Sequence, residues 1–157
     1  MKTSFAHVKL ALLVAMLAGV LGGSTSALAN SSAAIAISGT VDGLPESVYV
    51  SGLAQITTTL VKTDKFHHPR RVILSIDLHN VSGQGLSTGA TYVTTAQDEV
   101  MRRLVASDLV EITFPLYSNA AGGLSTARAG LASFRLTFDV NTGALTGGTA
   151  TVSTPSF

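Results

Sequence analysis

The sequence contains no cysteine and no tryptophan, and only 12% of its residues are charged. Without cysteine there is no disulfide, no thiolate nucleophile, no cysteine zinc site and no lipid-modified cysteine to anchor an exported chain. Stability has to come from a packed core. The absence of tryptophan, with few other aromatic residues, argues against a carbohydrate-stacking platform. Long apolar runs are also scarce. The one clear case, Leu10 to Leu21, covers twelve residues, where a membrane-spanning helix needs roughly 20.

That run follows Lys2 and Lys9, is broken by Gly22-Gly23-Ser24, and leads to Ala27-Leu28-Ala29. A basic start, a short apolar centre and a small-x-small end make a cleavable export signal over residues 1–29. Residues 30–157 then form a single domain by length. They keep eight basic and nine acidic residues, a formal charge of −1, because Lys2 and Lys9 leave with the signal. Such a balance offers no electrostatic footprint for nucleic acid, and no integral membrane span is expected in the mature chain. The expected location is periplasmic or extracellular.

What the mature chain has in quantity is two-residue alternation. Phe134, Leu136, Phe138 and Val140 alternate with Ser133, Arg135, Thr137 and Asp139, the period of a half-buried strand. Asn141-Thr142-Gly143 is a turn signal, with Gly143 suited to positive φ. The return strand runs over Thr149 to Val152, and a bulge at Gly143 and Ala144 opposite Val140 sets Phe134 against Ala150 and Ala132 against Val152. Upstream, alternation marks Ala34 to Val41, Val48 to Val50, Ala54 to Val61, Val72 to His79, Thr91 to Thr95 and Val110 to Leu116. Pro115 places the end of that last strand, or its position at a sheet edge, nearby. Over Ala96 to Ala106, the spacing of Val100, Met101, Leu104 and Val105, with Thr95 and Asp98 as a capping box, predicts a short helix. The fold class is therefore all-β, a single antiparallel β-sandwich or small barrel of seven to eight short strands with one short helical insert.

Few residues carry recognisable chemistry. Gly85-Leu86-Ser87-Thr88-Gly89 matches the G-x-S-x-G nucleophile elbow, but that motif needs a following helix and a later histidine. The last histidine is His79, upstream of Ser87, so no catalytic residue is assigned. His67, His79 and Asp77 are the candidate metal ligands. Asp77 and His79, two apart on a strand, share its outer face, and a loop over residues 62–71 folding back would bring His67 to them. Arg70-Arg71 and Arg102-Arg103 would hold an anion only if the fold united them. Asn80-Val81-Ser82 reads as a glycosylation sequon, without meaning in a bacterial source. No cofactor is indicated.

These features point to an exported, non-enzymatic β-domain acting as a binding or surface structural module. The expected partner is the chain itself or another exported protein, reached through Ile35 to Val41 as an edge strand. Two alternatives are a small-molecule carrier with a cavity lined by Phe114, Phe134 and Phe138, and a metal-binding exported enzyme using His67, His79 and Asp77.

Overall fold

The computed structural model of the chain describes residues 30–61, 69–119 and 127–156. The signal sequence assigned to residues 1–29, and His67 with its loop, lie outside the described residues. Eight strands follow in order: β1 (Asn30–Val41), β2 (Val48–Val61), β3 (Arg71–Gly85), β4 (Thr91–Val93), β5 (Gln97–Arg103), β6 (Ser107–Ser118), β7 (Arg128–Phe138) and β8 (Leu145–Ser153). They form one sheet in the order β2-β1-β8-β7-β6-β4-β3-β5, and pairing of β2 with β3 turns it into a ring.

The ring members are β1, β2, β3, β4, β6, β7 and β8. An odd number of strands cannot alternate in direction all the way round, so one neighbouring pair has to be parallel. That pair is β1 with β8, joined at Ile37–Ala150, Ser38–Thr151 and Gly39–Val152. The sheet is therefore mixed, and the expectation of a purely antiparallel one is corrected. Gly39 lies so close to the Val152 carbonyl oxygen that a Cβ would overlap it.

Apolar residues occupy the inner position of nearly every strand. Val72, Leu74, Ile76 and Leu78 are buried on β3, and Val110, Ile112, Phe114 and Leu116 on β6. Phe134, Leu136 and Phe138 extend the same cluster from β7. Burying each such side chain contributes about 1.5–3 kcal/mol, which is the source of stability a cysteine-free domain requires. Phe114, Phe134 and Phe138 are all buried members of this cluster.

On β3 the alternation changes phase. Leu53 faces Asn80 whereas Gln55 faces Asp77, so β3 carries an extra residue there. His79 and Asn80 are both exposed, and burial resumes at Val81. A bulge of this kind re-aims side chains without ending the strand. Opposite it, β2 runs unbroken from Val48 to Val61, so the segments Val48 to Val50 and Ala54 to Val61, expected as separate strands, are one. Continuous pairing with both β1 and β3 holds it extended.

The β7–β8 hairpin keeps the expected register, with Ala132 opposite Val152 and Phe134 opposite Ala150. Its turn has Gly143 at φ 74°, and the Asp139 carboxylate accepts the Asn141 N–H at 2.8 Å. The irregularity falls at Thr146, between the Thr137–Gly147 and Phe138–Leu145 pairs, instead of at Gly143 and Ala144. Val140 belongs to the turn and is exposed.

Two further expectations are overturned. The segment predicted as a helix is strand β5, paired with β3 from Asp77–Gln97 to Arg71–Arg103, and no helix occurs among the described residues. The first half of β3 needs a ladder partner on the edge that β4 covers only at Ser82–Gln84. That long-range demand outweighs a local spacing of helical period. Nor is Ile35 to Val41 a free edge. β1 pairs with β2 from Asn30–Thr59 to Val41–Val48, and with β8 on its other side at Ile37, Ser38 and Gly39.

Phe134→Ala is expected to lower unfolding free energy by about 3–5 kcal/mol, as aromatic truncations in a core do. Arg135→Ala, on the exposed side, should change it by less than about 0.5 kcal/mol. Equal shifts in denaturant melts would contradict the assigned faces. A chain beginning at Asp42 loses β1 and with it the ring, so circular dichroism should show no cooperative thermal transition.

Candidate functional site

Three places hold polar groups in defined geometry. The first is the outer face beside the β3 bulge. His79 N–H donates to Asp77 Oδ1 at 2.8 Å, and His79 Nδ1 lies 2.5 Å from the same oxygen. Gln97 on β5 donates from Nε2 to Asp77 Oδ2 at 3.1 Å. These contacts, led by the His79 backbone N–H, hold the Asp77 carboxyl below its ordinary pKa. Asp77 and His79 thus meet as their spacing implies, in a surface setting, with side chains 36% and 47% exposed. Their third neighbour is Gln97. No group of three or more metal-ligating His, Cys, Asp or Glu side chains occurs among the described residues. The Asp77–His79 contact orients the imidazole and directs Nδ1 to the carboxylate, so a metal would have to be taken through Nε2.

The second place is the pole where β1 ends and β2 begins. Glu46, in the connection between them, is buried. Its carboxylate accepts from Ser87 N–H and Thr88 N–H, both at 2.9 Å, from Thr88 Oγ1 at 2.7 Å and from Tyr92 Oη at 3.2 Å. The G-x-S-x-G match is therefore the loop that wraps this carboxylate. Four donors, Thr88 foremost, bring the Glu46 pKa from 4.5 to about 2. Burial, then the neighbouring Glu46, raises that of Tyr92. Arg128, facing inward on β7, donates from Nη1 to the Val41 carbonyl at 3.4 Å. Its Nε and Nη2 have no partner among the described residues.

The third place is the junction of β5 with β6. Among the described residues, β5 is paired on one side only, by β3. β6 is paired by β7 from Ser107 to Leu116, while β4 takes its other side only at Tyr117 and Ser118. Between these points no ladder joins β5 to β6 among the described residues, and the one backbone group of β6 that β5 reaches there is the Leu109 carbonyl, which accepts from Arg102 Nη2 at 3.4 Å. Pro115 accordingly sits where β6 has a free side. At the closed end, Arg102 bridges the gap by donating from Nε and Nη2 to the Asp108 carboxylate at 2.8 and 3.0 Å. The guanidinium holds the Asp108 carboxyl below the usual range.

The arginine pairs divide. Arg70 donates to the Val140 and Asn141 carbonyls and Arg102 to Asp108, whereas Arg71 and Arg103 stand directly opposite each other on β3 and β5. Sequence reasoning passed over Glu46, which lies in a turn with no periodic signal. It also passed over Arg128, although the inward phase of Gly130, Ala132 and Phe134 extends back to it.

Because its folded pKa is depressed, Glu46 stabilises the fold fully above pH 4.5, and that contribution is lost as pH falls toward about 2. Glu46→Gln should lower the Tm at neutral pH and flatten the Tm-against-pH curve in that window. Asp77, Asp108 and Asp139, also depressed, leave a residual slope. An unchanged curve in the variant would contradict the assignment. Compared with protein-family models, with curated proteins and with solved structures, the chain matches none.

Proposed function

We propose that the chain is an exported, non-enzymatic β-domain that works as a binding or structural module by accepting a strand along β5. The observation that carries this reading is the edge of β5 from Gln97 to Arg103, which has no ladder partner among the described residues on the side away from β3. A row of unpaired backbone N–H and C=O groups is a template for an extended segment. In the same reading the ring is flattened into a sandwich, with β4, β5, β3 and β2 facing β1, β8, β7 and β6, and the junction of β5 and β6 is an open side between the two layers. Met101 on this edge is 55% exposed, an apolar side chain set for contact with an added strand.

The metal reading rests on the Asp77–His79 contact at 2.5 Å. It remains the narrower of the two, because the third side chain in place is an amide.

Met101→Lys tests the edge. Lysine is the residue that natural edges use to repel an added strand, and the exposure of Met101 means that folding should be retained. In the fraction into which the protein is exported, the parent chain should migrate above its monomer mass on native electrophoresis and the variant at it. Migration of both at the monomer mass would overturn the proposal.

A further inference from the structure

Resting on that edge reading, we infer that the segment added to β5 is β5 of a second copy, running antiparallel with Met101 opposite Met101 and Glu99 opposite Arg103. The strand reads Gln-Asp-Glu-Val-Met-Arg-Arg, acidic in its first half and basic in its second. A copy laid antiparallel presents the opposite sign at each end, whereas a parallel copy sets like charges side by side.

The faces narrow the register further. Glu99, Met101 and Arg103 stand opposite Ser75, Ile73 and Arg71 of β3, on the outer side of the sheet, while Val100 stands opposite buried Leu74. Directly opposed residues in a ladder share a face. A two-fold axis perpendicular to the sheet therefore passes through a residue and its own copy. With the axis at Met101, both outer-face charges are matched, Glu99 to Arg103 and Arg103 to Glu99. With the axis at Val100, Glu99 would meet Met101 instead.

The outer-face charges are available for this. The Glu99 carboxylate and the Arg103 guanidinium have no side-chain partner among the described residues, and Arg103 lies opposite another cation, Arg71. Like charges directly opposed on a ladder are destabilising, and a carboxylate arriving beside them relieves the repulsion. Arg102 stays with Asp108 in this register. Its neighbour across the axis is Val100.

The ladder is short, from Glu99 to Arg103, so the contact falls below the roughly 1,200 Å² of a standard interface and should be weak and concentration-dependent. Two matched charge pairs exclude strands of other pattern more than they add affinity.

Size exclusion with light scattering on purified residues 30–157 should show a monomer at about micromolar concentration and a growing dimer fraction toward about millimolar. Glu99→Arg and Arg103→Glu, singly, each create two like-charge pairs and should weaken the dimer by about tenfold or more. The double variant E99R/R103E exchanges the signs and should restore it.

A cysteine introduced by Met101→Cys is the chain's only thiol. Opposed Cα atoms about 4.5–5.5 Å apart suit a disulfide, so oxidation should cross-link M101C but not Glu99→Cys. A parent chain monomeric throughout, or a dimer indifferent to both single reversals, would overturn the inference. If the purified chain is monomeric while the exported fraction still holds a Met101-dependent assembly, the edge reading stands and only self-pairing fails.

Discussion

The fold depends on how its two terminal strands meet. β1 and β8 are the parallel pair that an odd ring requires, and they are joined by Ile37, Ser38 and Gly39 against Ala150, Thr151 and Val152. Parallel ladders are slightly less favourable per residue than antiparallel ones. This one also brings together segments more than a hundred residues apart in sequence, so the entropy of closing a long loop is met before the contact forms. Close approach at Gly39 and burial of Ile37 and Val152 against the common core offset that cost. With β8 held against β1, the neighbouring β7 and β6 continue the ring, and their phenylalanines fill the interior.

The opposite side of the ring shows what happens where no such closure is made. β4 reaches β6 through two pairs of residues, and beyond them β5 and β6 stay apart, linked by their connecting turn and the Arg102–Asp108 ion pair. A bidentate arginine–carboxylate contact fixes geometry well, and the same guanidinium reaches the Leu109 carbonyl at 3.4 Å, but it replaces no backbone ladder. The ring therefore keeps hydrogen-bonding capacity in reserve at this place, on a strand whose charges are sorted by sign along its length.

How much of this was legible beforehand depended on whether the deciding interaction was local. The β7–β8 hairpin could be read to the residue pair, because Phe134, Leu136 and Phe138 alternate and Gly143 marks the turn. The β3 bulge was harder to see, since His79 and Asn80 look like an ordinary strand end until Val81, Gly83 and Gly85 are recognised as the same strand in shifted phase. β5 was misread because Val100, Met101, Leu104 and Val105 fall at helical spacing, and nothing local in Gln97 to Arg103 alternates as a strand does. Only the unfilled ladder of Arg71 to Asp77 decides between them. Asp77 and His79 could be placed on one face from spacing alone. Glu46 could not be placed, because three of its four donors come from a loop some forty residues away and the fourth from Tyr92 on β4.

The parallel pair has a mechanical corollary. β1 starts at one pole of the ring and β8 finishes at the other, with the two lying side by side between. Tension applied across the first and last strands would pull them past each other lengthwise, loading every rung between Ile37–Ala150 and Gly39–Val152 at once. Strands joined as a hairpin would instead peel apart rung by rung. This domain is strung so that a pull along the chain meets its closure in shear.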